Sequence, residues 1–151
     1  MKKRVLSSNK KAYYNYEILE KLETGIVLFG YEVKSAKESN VSLVNVSVKF
    51  SNGEAFAENM FIAPYERIST HIADYDDRRK RKLLMHKSEI VKFCSKVKEK
   101  GFTAVPLEIY VSSKGKIKLL IGLAKGKKMY DKREALKRRD IVRETAREYG
   151  L

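Results

Sequence analysis

Apolar positions recur along this chain with two different spacings, and the change between them lays out the elements. Tyr14, Tyr16 and Ile18 alternate with polar residues, and Ile26, Val27, Leu28 and Phe29 then form a continuous apolar run. Glu23, Thr24 and Gly25 lie between the two. Alternation, a glycine-containing break and a second β-rich run predict a long hairpin, closed by Gly30. Glu32 to Ser39 reads as a short helix or turn. Leu43, Val46, Val48 and Phe50 lead into Ser51-Asn52-Gly53. Asn-Gly suits a two-residue hairpin turn whose central positions both need positive φ. Phe56 to Ile62 is the expected return strand, stopped by Pro64.

No period emerges from Arg67 to Asp77. Ile90, Phe93, Cys94 and Val97 then recur at helical spacing, which predicts a helix from about Ser88, capped by that serine and ended by Gly101. Thr103, Val105 and Leu107 alternate, followed by Ile109 and Val111. A turn at Lys114-Gly115 leads to Ile117, Leu119 and Ile121, which alternate again. The pattern is mainly β, with about six antiparallel strands and a few helices, and a small barrel closes the edges of such hairpins. We expect that barrel to span residues 13–128.

The flanks differ in character. Residues 1–12 are polar and basic, and we expect a flexible arm there, ordered only near Asn9. In residues 129–151, Ala135, Leu136, Val142, Ala146 and Tyr149 form a thin apolar stripe among many charges. An isolated helix of this length is marginal in water. The basic C-terminal tail is therefore expected to be mobile when free and helical when bound to a polyanion.

Charge narrows the partner. Lys and Arg number 33 against 19 Asp and Glu, a formal charge of +14. That excess calls for an anionic partner, nucleic acid or an acidic membrane surface. Three basic clusters carry it: the N-terminal arm, Arg78 to Lys82, and Lys125 to the end. Lys125, Lys127 and Lys128 flank Gly126, where a missing side chain lets a backbone approach closely. Tyr13, Tyr14, Tyr16, Tyr31 and Tyr130 lie among the cations and could stack on bases. No apolar run reaches the roughly 20 residues of a membrane span. No apolar stretch follows Met1-Lys2-Lys3-Arg4, so a signal peptide is not expected, and the reading is of a soluble, cytoplasmic protein.

Catalytic constellations do not assemble. The single cysteine, Cys94, excludes an internal disulfide and a cysteine-rich zinc site, and it reads as a small core hydrophobe. Asp74, Asp76 and Asp77 could hold a hard cation, but they lack the glycine and terminal acid of a calcium loop and abut the cationic run. His71 and His86 stand in no metal-ligand spacing. Gly122 and Gly126 are not followed by a Walker pattern. No cofactor, metal or small-molecule substrate is expected, and an enzyme is the weaker hypothesis. A metal-dependent nuclease using Asp74 to Asp77 stays open as a rival, whereas a peripheral membrane role does not account for the barrel-like pattern.

Several stretches resemble one family. Asn9-Lys10-Lys11-Ala12, Glu23-Thr24-Gly25-Ile26 and Gly30-Tyr31-Glu32-Val33-Lys34-Ser35 resemble the opening of small protein B (SmpB), the tmRNA (SsrA RNA)-binding family of bacteria. Arg81-Lys82-Leu83-Leu84-Met85-His86-Lys87 looks like its central motif. Ile121-Gly122-Leu123-Ala124-Lys125-Gly126-Lys127-Lys128, with Asp131-Lys132-Arg133, looks like its C-terminal one. The matches run in order over most of the chain, while the segment from Ser39 to Ser47 departs from the family pattern.

The resemblance implies an oligonucleotide-binding (OB)-type barrel that binds the tRNA-like domain of tmRNA in trans-translation, beside the acceptor arm and in place of the missing anticodon stem. It implies a tail that enters the empty mRNA channel near the decoding centre of the small ribosomal subunit, and a monomer. RNA contact is implied for Asn9, Glu23, Leu83 and Lys118, with Lys10, Lys11, Tyr14, Lys34, Arg81, Lys82, Lys125, Gly126, Lys127 and Lys128 around them. The ribosome-directed residues are Asp131, Lys132 and Arg133, extended along the tail by Lys137, Arg138, Arg139 and Arg143. The alternative is a generic OB-fold RNA binder or ribosome-associated protein without tmRNA specificity.

Overall fold

A computed structural model describes residues 3–65, 75–99 and 101–126. Nine strands and three helices follow in the order β1 (Arg4–Ser8), α1 (Lys10–Asn15), β2 (Tyr16–Ile26), α2 (Gly30–Lys37), β3 (Val41–Ser42), β4 (Ser47–Ser51), β5 (Glu54–Glu58), β6 (Phe61–Ile62), β7 (Arg81–Leu84), α3 (Lys87–Lys98), β8 (Phe102–Val111) and β9 (Ile117–Gly126). The fold is mainly β and antiparallel, as the alternation predicts. Seven strands form one sheet in the order β1-β8-β9-β2-β7-β5-β4, and β3 pairs with β6 apart from it. The sheet curls until β4, at one end of that order, lies against β8. Its concave side holds the main core, where Ile62, Leu83, Ile109, Leu119 and Ile121 are all but fully buried and Phe93 enters from α3.

Two hairpins form where the turn chemistry places them. Asn52 and Gly53 take φ of 50° and 74° between β4 and β5, and Gly115 takes 81° between β8 and β9. The helix over 88–100 is α3, but it begins at Lys87. His86 occupies the N-cap position, and its N–H donates to the Glu89 carboxylate at 2.9 Å, so Ser88 is not the cap. Gly101 follows with φ 92°.

Three expectations are corrected. The hairpin predicted around Glu23-Thr24-Gly25 is one continuous strand, β2, paired with β9 from Tyr16 to Gly25. Its glycine is there for close approach, because a Cβ on Gly25 would lie 3.1 Å from the Leu84 Cβ on β7. The loose arm before Asn9 contains β1, which pairs with β8 and buries Leu6. Five residues are too few for alternation to stand out, yet β8 otherwise lacks a partner on that side. The return strand expected through Ile62 breaks at Asn59, whose φ is 68°, and β6 leaves the large sheet for β3.

A register shift between Pro106 and Glu108 divides β8 into two phases. Val105, before it, and Leu107, within it, lie in a small cluster with Ala12 of α1 and Ala124 on the outside of the sheet. After it, Ile109 points into the main core. Such a bulge re-aims every later side chain, and it brings Tyr110 to the outer face.

Candidate nucleic-acid interface

The outer face of the sheet carries one transverse row: Tyr110 opposite Lys118, Lys118 opposite Gly25, and Gly25 opposite Leu84. Directly paired residues share a face. Glu23 and Lys82, each two residues along their strands, belong to the same face. Gly25 has no side chain, Leu84 packs over its place, and a depression opens beside the row. The depression, of about 590 Å³, is lined by Glu23, Lys82, Leu84, His86 and Lys118 among others. Leu84 is 55% exposed at its lip.

The Tyr110 hydroxyl donates to the Glu23 carboxylate. Burial, then the hydrogen bond that the hydroxyl donates to Glu23 and the Glu23 and Glu108 charges, push the Tyr110 hydroxyl well above the usual phenol range. It therefore stays protonated and keeps donating. Glu23 itself is exposed, with acceptor capacity left over. A carboxylate can accept from a base amino group or a ribose 2′-hydroxyl, which no lysine can do. Lys82 and Lys118 offer ammonium groups to phosphate, and Leu84 offers an apolar surface.

The expected roles of Leu83 and Arg81 are corrected. In β7 burial alternates, so Arg81 and Leu83 point inward while Lys82 and Leu84 point out. Leu83 is 1% exposed and belongs to the core. Arg81 is fully buried. Its Nε and Nη2 donate to Glu32 at 2.8 and 2.6 Å, and its Nη1 donates to the Met60 carbonyl at 2.5 Å. Arg79 donates to the same carboxylate through Nε at 3.1 Å and Nη2 at 2.5 Å. The Phe29 N–H adds a bond of 2.8 Å, and the Tyr75 hydroxyl donates to Glu32 at 2.9 Å. Burial alone would raise the Glu32 pKa. Hydrogen bonds from Arg79, Phe29 and Arg81, with the Arg81 charge, outweigh it and hold the carboxyl below its ordinary value. Two of the five cations in the run are thus consumed inside the protein, and Arg81 is unavailable to RNA.

The remaining predicted residues fall at other places. Asn9 spends its side chain locally: Oδ1 accepts from the Ala12 N–H at 3.2 Å, capping α1, and Nδ2 donates to the Pro106 carbonyl at 2.8 Å. Lys10 and Lys11 are exposed and line a depression of about 430 Å³ with Asn9, Tyr16 and Asn45. Tyr14 is 64% exposed on α1. Gly126 pairs with Tyr16, and Lys125 lies opposite Glu17 with its Nζ 4.9 Å from the Phe102 ring centre. Lys34 is exposed on α2, its Nζ 5.8 Å from the Tyr65 ring centre. The structure thus gathers Glu23, Lys82 and Lys118 at the groove, and Tyr14, Lys125 and Gly126 where α1 passes into β2.

Lys127, Lys128, Asp131, Lys132, Arg133, Lys137, Arg138, Arg139 and Arg143 lie outside the described residues, with the helix expected in that tail. So do His71 and Asp74, while Asp76 accepts from the Arg78 N–H at 2.9 Å in a turn. Cys94 is half-buried on α3. Among the described residues no helix is long and apolar enough to cross a membrane.

Leu84, at the groove, and Tyr110, which holds Glu23 from beside it, are residues of this surface that sequence reasoning missed. For Leu84 the signal was present in the alternation of Arg81-Lys82-Leu83-Leu84, but its phase was not. For Tyr110 the bulge before it erased the signal.

Comparison with known proteins converges on one family. Residues 6–150 match the family model described as SmpB protein. A relative from Coprothermobacter proteolyticus, named SsrA-binding protein, is 54% identical over 145 residues, covering 96% of each chain. The SsrA-binding protein of Bacillus subtilis is 49% identical over 146 residues, covering 97% of this chain and 92% of the relative. A solved chain from work described as "tmRNA-SmpB: a journey to the center of the bacterial ribosome" superposes with a TM-score of 0.65 at 48% identity, covering 80% of this chain and 82% of the other.

Proposed function

The chain belongs to the SmpB protein family, and on that premise we propose that it binds tmRNA and serves trans-translation as a non-enzymatic adaptor in the cytoplasm. One observation of its own surface carries the reading. An exposed carboxylate, Glu23, is held by a tyrosine hydroxyl in an open groove beside Lys82, Lys118 and Leu84. Acceptor, cations and apolar lip together suit the 2′-hydroxyls, phosphates and base faces of a folded RNA. In this reading the barrel holds the tRNA-like domain through Glu23, Lys82, Leu84 and Lys118. A second contact runs along Lys10, Lys11, Tyr14 and Lys125, with Asn9 capping α1 there rather than reaching the RNA. The tail from residue 129, with Asp131, Lys132 and Arg133, reaches the ribosomal decoding centre and the empty mRNA channel.

The test is a gel-shift titration with the tRNA-like domain of tmRNA at moderate salt, with excess unrelated tRNA as competitor. A complex that survives the competitor is expected. Complete displacement by tRNA would leave a generic RNA-binding barrel.

A further inference from the structure

We propose that the β8–β9 turn forms a second anion subsite, which seats a backbone phosphate of the same RNA strand whose neighbouring nucleotide occupies the Leu84 groove. This inference rests on the RNA-binding reading above and extends its footprint. A depression of about 450 Å³ lies on the far side of Glu23 and Lys118, and both residues line the two depressions in common. The second depression adds Lys3, Lys114, Lys116 and the two serines of the turn.

Its charge balance favours an anion. Lys82, Lys92 and Lys96 each face a carboxylate, from Glu54, Glu20 and Glu99 respectively. Lys114, Lys116 and Lys118 form no ion pair among the described residues. Three ammonium groups without an ion pair therefore line one concave surface, against the single carboxylate of Glu23 at its edge. The Glu108 carboxylate there is engaged by Lys3, and Glu23 takes the Tyr110 hydroxyl at the shared edge.

The turn is also built rather than loose. The Ser112 N–H donates to the Lys116 carbonyl at 2.7 Å, and the Gly115 N–H returns to Ser112 at 2.8 Å. The Lys116 N–H donates to the Ser112 hydroxyl at 3.2 Å. Gly115, at φ 81°, permits the reversal that puts Lys114 and Lys116 on either side of it. A strand of RNA crossing the Glu23–Lys118 ridge would thus meet an acceptor and apolar lip on one side and unpaired cations on the other.

The measurement is the salt dependence of binding to the tRNA-like domain of tmRNA, for the wild type and for K114A/K116A. Each phosphate contact contributes about 0.7–0.9 to the slope of log K against log salt. The double variant should lower the slope by about 0.7–0.9, the share of one phosphate, and retain its fold, since both side chains are exposed on a turn. The control is K37A/K49A, which removes equal charge from α2 and β4, outside both depressions. An unchanged slope for K114A/K116A, or an equal drop in the control, would overturn the subsite. Wild-type binding erased by tRNA would overturn the tmRNA reading instead, and the subsite would then be judged by the same slopes measured on tRNA.

Discussion

Glu23 and Glu32 are nine residues apart in sequence, and each accepts a hydrogen bond from a tyrosine hydroxyl, Tyr110 for one and Tyr75 for the other. There the likeness stops. Glu32 is fully buried, and its oxygens are taken by Arg79, Arg81, Tyr75 and the Phe29 N–H. Glu23 is exposed, and Tyr110 is its one hydrogen-bonding partner among the described residues. A buried carboxylate must have every oxygen satisfied internally, because desolvation without partners costs too much. A carboxylate at the surface can leave acceptor capacity to water and exchange that water for a ligand. The same side chain thus acts as a clamp in one place and as a recognition element in the other, and the number of protein donors around it decides which.

The sharpest break in that comparison is Glu32→Gln. It leaves the fully buried Arg81 and the partly exposed Arg79 facing a neutral amide, and breaking a buried ion pair such as that with Arg81 costs about 3–5 kcal/mol. Urea unfolding should show that loss as a lower midpoint. The wild type should also be acid-sensitive in a defined direction. The folded-state pKa of Glu32 is depressed from 4.5. Its contribution is therefore complete above about pH 4.5 and is lost as pH falls through the depressed value. Titrating stability from pH 6 downward checks this. A wild type and variant that weaken in parallel would show that Glu32 does not couple to acid unfolding.

The next effect separates neighbours within β7. Leu83→Ala opens the main core and should cost about 2–5 kcal/mol of stability. Leu84→Ala removes an exposed side chain and should change stability by about 0.5 kcal/mol or less. Their effects on RNA should be reversed. Leu84→Ala is expected to weaken the tRNA-like-domain complex by roughly tenfold, as for an apolar contact worth about 1.4 kcal/mol. Folded Leu83→Ala should bind nearly normally. If the folded Leu83 variant were the one that lost RNA, the outer face of β7 would not be the contact surface.

That pair also marks where sequence reading succeeds and where it runs out. Asn52-Gly53 and Gly115 announce their hairpins because positive φ is a local demand met by few residues. The helix α3 is legible because Ile90 and Phe93 repeat at its period. Glu23 and Lys118 emerge through the family resemblance, and the fold brings them to one depression. The run from Arg78 to Lys82 is different. Five consecutive cations look uniformly solvated, yet Arg79, just before β7, and Arg81, on its inward face, both reach an acid about 50 positions earlier in the chain. No local pattern reveals a partner at that separation. Nor does composition tell that Gly25 makes room for Leu84 from another strand, so a glycine in mid-strand reads as a turn. The phase of Leu83 against Leu84 depends on pairing with β2 and β5, which only the assembled sheet supplies.

The smallest expected effect bears most directly on Glu23. Tyr110→Phe keeps the ring, which is 4% exposed, and deletes only the hydroxyl that donates to Glu23. Glu23 remains solvated, so the stability cost should be about 1 kcal/mol. Affinity for the RNA should fall by a few fold, because the carboxylate is no longer held in one orientation. The salt slope should not change, since no phosphate contact is lost. A double-mutant cycle with Glu23→Gln distinguishes orientation from a general loosening of the sheet. If Tyr110 acts through Glu23, the two changes should couple in RNA affinity by at least about 0.5 kcal/mol. Strict additivity would mean that the hydroxyl contributes to folding alone, and that Glu23 finds its orientation from the RNA rather than bringing it.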